Sequence, residues 1–272
     1  MRKTVAYLVL ITGVLLCAPV AAQEAGEDLA DLSKKAANPL ADLISIPLQN
    51  NTNFGLGPYD RAANVLNIQP VVPFAGGRII TRTIAPVVWI PDVTAESGLL
   101  TSGLGDILFT SFYAPAPSGA LIWGLGAALE MPTGGDDRGT GKWSLGPSLV
   151  GLYQVQSWTL GVLANNVWSF AGDEDRPDVN RGLLNLFLVY QLGGGWYVNS
   201  VPIINVDWEA PEGQRWLVPL GAGAGKVAML GRLPVNTQVG AYVNVVKPDI
   251  GPDWQLRLQV QFFLPNPASS KG

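Results

Sequence analysis

The segment Trp254-Gln255-Leu256-Arg257-Leu258-Gln259-Val260-Gln261-Phe262 alternates without a fault between apolar and polar residues. Period two puts Trp254, Leu256, Leu258, Val260 and Phe262 on one face of a strand and the glutamines and Arg257 on the other, whereas a helix would scatter both sets around its axis. Similar alternation runs through Val235–Val245, and through Trp196–Trp208, where Asn199 and Asn205 oppose the tryptophans. About twelve such segments follow one another, each near the ~10 residues that a tilted membrane strand needs. They span 43–54, 64–74, 78–90, 104–114, 119–131, 142–155, 157–170, 182–192, 195–208, 215–229, 233–246 and 253–264.

Composition selects the environment. Mean hydropathy is +0.24 with only 14% charged residues, against about 25% in an average soluble chain. Past the leader there is no apolar run of the ~18–20 residues needed for a spanning helix. High hydropathy delivered by alternation is the pattern of an all-β fold, a transmembrane antiparallel up-and-down barrel of about 12 strands. A secreted β-sandwich is the competing architecture.

Loop lengths sort by parity. Connections 55–63, 91–103, 132–141, 171–181, 209–214 and 247–252 are long and carry most of the charge; 75–77, 115–118, 156, 193–194 and 230–232 are tight. With a periplasmic N-terminus, the long set is extracellular. On that reading Trp89, Trp143, Trp168, Trp208, Trp216 and Trp254 form an aromatic belt at the extracellular rim, and Trp123, Trp158 and Trp196 a second belt at the other interface. Prolines at 47, 70, 86, 147, 202 and 219 oppose the assignment, since each removes a ladder donor; bulges would accommodate them.

The chain begins with Met1, Arg2 and Lys3, an apolar run from Val5 to Leu16, and small residues through Ala22. That is a cleaved secretory signal peptide over residues 1–22, directing the protein to the bacterial outer membrane. The single cysteine, Cys17, lies inside it, so no disulfide is expected. Residues 23–42 mix charge with leucine and alanine at a helical spacing and end at Asn38-Pro39; a short helix here would plug the lumen or lie on the periplasmic surface. Residues 43–264 form the barrel and 265–272 a C-terminal tail.

Several segments in matching order resemble a known family: Asn38-Pro39-Leu40-Ala41-Asp42-Leu43-Ile44-Ser45-Ile46-Pro47-Leu48-Gln49-Asn50-Asn51, Leu66-Asn67-Ile68-Gln69-Pro70-Val71-Val72-Pro73, Ser102-Gly103-Leu104-Gly105-Asp106-Ile107, Gly139-Thr140-Gly141-Lys142-Trp143 and Asn165-Asn166-Val167-Trp168-Ser169-Phe170-Ala171-Gly172-Asp173. Together they resemble the meta-pathway phenol-degradation family of outer-membrane β-barrel proteins, often labelled transporters. The resemblance implies a barrel and uptake of small aromatic or hydrophobic compounds, and carries no catalytic residues.

The chain contains no histidine, which removes Ser-His catalysis and His/Cys metal sites. Paired carboxylates are the remaining catalytic resource, and Asp106 and Glu130 lie on lumen faces at opposite ends of their strands. No enzyme activity and no cofactor are expected. A net charge of −4 without a basic stripe argues against nucleic acid. Asp173, Asp175 and Asp178 offer oxygen ligands of the kind calcium takes, without EF-hand spacing; solvated loop charge is the plainer reading. The glycines at 221, 223 and 225 precede no helix and would leave room inside a barrel.

The expected function is passage of small solutes, with outer-membrane lipid, lipopolysaccharide and the solute as partners. Arg82, Asp106, Glu130, Asn199, Asn205, Gln255, Arg257 and Gln259 are the expected lumen-facing permeation residues. The alternative is a plugged structural or adhesive barrel acting through its extracellular loops.

Overall fold

The computed structural model describes residues 24–264. The expected signal peptide and C-terminal tail lie outside the described residues. No helix among them is long and apolar enough to cross a membrane.

The chain folds as one helix, α1 (Glu24–Ala36), followed by a closed antiparallel barrel. Its strands are β1 (Ile44–Leu56), β2 (Arg61–Ile68 with Val71–Phe74), β3 (Ile79–Pro91), β4 (Leu100–Leu104 with Ile107–Tyr113), β5 (Leu121–Met131), β6 (Lys142–Val155), β7 (Trp158–Gly172), β8 (Asn180–Gly193), β9 (Trp196–Ser200 with Ile203–Asp207), β10 (Trp216–Leu230), β11 (Leu233–Val246) and β12 (Trp254–Leu264). Each pairs with its neighbours in sequence, and β1 closes the ring against β12 from Ile44↔Leu264 to Phe54↔Trp254. All twelve expected segments are present, β2 and β4 starting earlier than the alternation suggests.

Three strands are interrupted, at Gln69-Pro70, Gly105-Asp106 and Val201-Pro202. Hydrogen bonding continues across each interruption: Gln69 N donates to Pro47 O, Gly105 N to Pro86 O, and Leu186 N to Pro202 O. Pro70 and Pro202 therefore remove only a donor. Pro219 adjoins a register shift, while Pro47, Pro86 and Pro147 stay in the ladder opposite Gln261, Asn67 and Ala127.

The hydrophobic sidedness is that of a protein solvated by lipid. On β11, Val243 is 60% exposed on the outside while its neighbour Tyr242 is 1% exposed inside. On β6, Leu145 and Leu149 lie exposed while Ser144 and Ser148 are buried. An aqueous sandwich would reverse both pairs. The six expected rim tryptophans all fall on the outward parity at the long-loop end. Trp254 stacks on Phe54 with ring centroids 4.2 Å apart, and Trp208 meets Trp216 edge-on at 5.5 Å. At the short-turn end Trp158 packs on Tyr190 at 4.6 Å, and the Lys226 ammonium lies 4.7 Å from the Trp196 ring. The tight turns there use left-handed residues; Gln156 adopts φ +50° to close the β6–β7 hairpin.

Candidate functional site: a plugged lumen

The N-terminal segment enters the barrel from the short-turn end. The apolar side of α1, with Leu29, Leu32 and Ala36, packs on an inward-facing patch made by Val189, Tyr197 and Val227. Ser33 is buried and donates to the Gln191 side chain. Gln154 of β6 donates to the carbonyl of Lys34 at 3.2 Å. Beyond the helix, Leu40 is buried with Ile80, Phe112, Val150 and Leu152 of the inner wall. Among the described residues the helix thus rests against the inner wall at the short-turn end. Val189, Tyr197 and Val227 make an apolar patch in the inner wall at this end, and that patch is what the amphipathic helix covers.

Glycine makes room here for other side chains. A Cβ on Gly225 would lie 2.3 Å from the ring of Tyr197, and one on Gly223 2.9 Å from Asn199 Oδ1. The glycine stripe of β10 is thus roofed by Tyr197, whose hydroxyl donates to Asn236 at 2.8 Å, rather than left as open space.

Three cavities follow one another from the plug toward the long loops. Their volumes are about 130 Å³ beside the plug, about 290 Å³ in the middle and about 470 Å³ at the loop end. Adjacent cavities share wall residues. Arg82 and Arg257 line both lower cavities. Arg82 donates to Gln69. Arg257 donates to Asn51 at 3.1 Å, to the carbonyl of Val201 at 2.8 Å and to Gln255 at 3.1 Å, and its guanidinium stands 4.7 Å from the Tyr242 ring. Asn199 and Gln259 line the lowest cavity, Gln255 the middle one, and Asn205 the upper two. These six lie where alternation predicts.

The carboxylates lie elsewhere in the barrel. Glu130 faces the upper cavity, ion-paired with Arg181. Asp106 is spent on a loop: its carboxylate accepts from the backbone of Gly134 at 2.9 Å and Thr140 at 2.6 Å, and from the Thr140 hydroxyl at 2.9 Å. Its expected place on the permeation path is corrected accordingly, because the break at Gly105-Asp106 turns it to the rim. The two acids are also less separated than their opposite strand ends suggest. Antiparallel pairing of Leu108 with Glu130 brings both to the loop end. Arg181 is a luminal charge that sequence reasoning missed.

Asp173, Asp175 and Asp178 do not turn toward a common point. Among the described residues no group of three or more His, Cys, Asp or Glu could hold a metal ion. Asp173 caps the amide of Asp175 at 3.0 Å, while Asp178 turns away to Lys142 at 3.7 Å and Ser169 at 3.3 Å. Loop charge is instead tied internally: Arg176 donates to the carbonyls of Asp136, Gly139 and Thr140 on the neighbouring loop. Outside the strands, Asp92 holds the turn after β3, accepting from the hydroxyl and amide of Thr94, both at 2.8 Å, and from the amide of Ala95 at 3.1 Å. The Thr94 hydroxyl and these amides hold its carboxyl below the usual range.

Two solved structures share this architecture. An outer membrane channel from Pseudomonas putida F1 superposes with a TM-score of 0.57 at 16% identity, covering 82% of this chain and 96% of that one. The NanC porin gives 0.54 at 7% identity, covering 82% and 100%. Both likenesses establish the fold, that of an outer-membrane β-barrel. No curated protein matches the chain in sequence. The family model described as "Putative MetA-pathway of phenol degradation" matches residues 60–201.

Proposed function

The chain belongs to the MetA-pathway phenol-degradation family, and from that membership and the shape of its lumen we propose that it is an outer-membrane channel for small solutes, closed at its periplasmic end by its own N-terminal segment. The long loops face outward from the cell, the short turns face the periplasm, and lipid with lipopolysaccharide surrounds the apolar wall. The family's description supports aromatic compounds as the solutes.

One observation carries this reading: a luminal cavity lined by Asn, Gln and Arg above an apolar seat that one short helix covers. A barrel whose interior served only as a core would be filled by its own side chains throughout. The helix itself pairs with no strand, so it can leave its seat without unpairing the barrel. Transport then requires movement of residues 24–43. The second reading, a permanently plugged barrel acting through its cross-tied loops, is favoured by the burial of Ser33 and Leu40.

Single-channel recording in planar bilayers separates them. The channel reading expects rare openings in the full chain and steady conductance once residues 24–37 are deleted. Silence from both proteins leaves the plugged structural barrel.

A further inference from the structure

We propose that Arg82 and Arg257 form the charged half of a solute-binding site, and that its ligand is a small organic carboxylate with an apolar body. The inference deepens the channel reading by naming the solute class.

Every protein partner of the two guanidinium groups is neutral: Gln69 for Arg82, and Asn51, Gln255, the Val201 carbonyl and the Tyr242 ring for Arg257. Arg257 is 3% exposed. Among the described residues no carboxylate forms an ion pair with either arginine. The two acids expected to share the lumen with them are engaged elsewhere, Glu130 with Arg181 and Asp106 with the 134–140 loop. Two positive charges in a narrow, low-dielectric passage attract an anion far more strongly than the same charges on a loop. Arginine's fixed fork suits a carboxylate in particular.

A second, independent observation extends the site. Asn185 Oδ1, Asn199 Oδ1 and Gln238 Nε2 are buried without a protein hydrogen-bond partner. All three residues line the cavity that Arg82 and Arg257 line. Phe187, Ile203 and Phe263 complete its wall with apolar surface. The arginines match a carboxylate, the amides match a hydroxyl or a second polar substituent, and the apolar wall matches a ring or short chain. An inorganic anion would use only the first of these surfaces, and a neutral aromatic only the last.

Calorimetric titration of the full chain in detergent micelles tests this with benzoate, benzyl alcohol and chloride as probes. Benzoate is expected to bind at least about tenfold more tightly than benzyl alcohol, the scale of one charge-assisted contact. The double variant R82Q/R257Q should lose that advantage, benzoate then binding no more tightly than benzyl alcohol. R82K/R257K, which keeps the charge, should retain part of it. Heat-modifiable migration on a gel reports whether each variant is folded; should the double variant fail to fold, R82Q and R257Q are read singly, each weakening benzoate. Equal binding of benzoate and benzyl alcohol, benzoate binding untouched by the folded glutamine variants, or chloride binding as tightly as benzoate overturns the proposal. Micelle binding needs no current across a bilayer, so the two readings fail separately. Benzoate bound by a barrel that never conducts removes the channel and keeps the site. A conducting barrel that binds benzoate and benzyl alcohol alike removes the site and keeps the channel.

Discussion

Ser33 of the N-terminal helix donates its hydroxyl hydrogen bond to Gln191 on the inner wall of β8, joining residues 158 positions apart. It is a buried polar contact beside the apolar seat of the helix. Ser33→Asp would put a carboxylate against the Gln191 side-chain oxygen that now accepts from Ser33, at a cost of about 3 kcal/mol. That penalty falls on the closed state alone. Open probability in single-channel records should rise by about a hundredfold. An unchanged open probability would mean that α1 is not the gate.

The register of β12 gives a second test. Leu258 sits between Val239 and Asn50 on the outer face, and Gln259 beside it faces the lumen. Leu258→Arg should destabilise the barrel by roughly 2–4 kcal/mol in urea unfolding from lipid bilayers, while Gln259→Arg should cost much less and shift ion selectivity. Equal costs would contradict the face assignment, since a slip of one residue exchanges the faces.

Arg181 and Glu130 form the charge pair of the upper cavity. The Glu130 side chain is only 12% exposed, so Arg181→Gln, which leaves that carboxylate without its cation, should cost about 3 kcal/mol of stability. It also acts on permeation, leaving Glu130 uncompensated at the loop end. Reversal potentials under a salt gradient should move toward cation preference. No movement would place this pair off the ion path.

Asp106 is predicted to act on a loop and not on permeation. Asp106→Ala removes three hydrogen bonds to Gly134 and Thr140. Protease added to intact cells should cut the 134–140 loop faster in this variant, with ion selectivity of the open channel unchanged. Altered selectivity with an uncut loop would return Asp106 to the lumen.

The turn after β3 should respond to acid. The Asp92 carboxyl is held low, so the stabilisation its ionised form gives the turn is full above the unfolded value of about 4. It is lost as pH falls through the lower folded value. Hydrogen exchange at Thr94 and Ala95 should stay protected at neutral pH and speed up only under acid conditions. Asp92→Ala, which removes the acceptor of all three hydrogen bonds, should be unprotected at both. Protection that persists unchanged in Asp92→Ala would show the turn to be held by other contacts.

Much of the barrel was legible because lipid on one side and a polar lumen on the other impose alternation on every strand. β12 carries that pattern without interruption, and its faces were assigned correctly from it. β1 does not: Asn50, Asn51, Thr52 and Asn53 are all polar, and Asn50, Thr52 and Asn64 satisfy one another on the outer face at 2.8–3.2 Å. β8 fails in the opposite sense, with leucines on both faces, so Arg181 looked like the end of a charged loop. Counting back by twos from Gln191 through Asn185 would have placed it in the lumen. The destination of α1 was open because an amphipathic helix suits a membrane surface and an apolar lumen equally. The inward Val189, Tyr197 and Val227, brought together from three strands, give it an apolar seat that no single strand's pattern reveals.

The plug is covalently continuous with the barrel it closes. Residues 37–43 join Ala36 to the first residue of β1, Ile44, and Leu40 within that join is itself seated in the wall. Once displaced, the helix stays on a leash a few residues long, and its return is a unimolecular event. A tether this short keeps the helix at an effective concentration on the order of millimolar around its seat. Weak individual contacts therefore suffice to keep the barrel shut between openings. A free peptide of the same sequence would need to reach comparable concentration to block a barrel that lacks it.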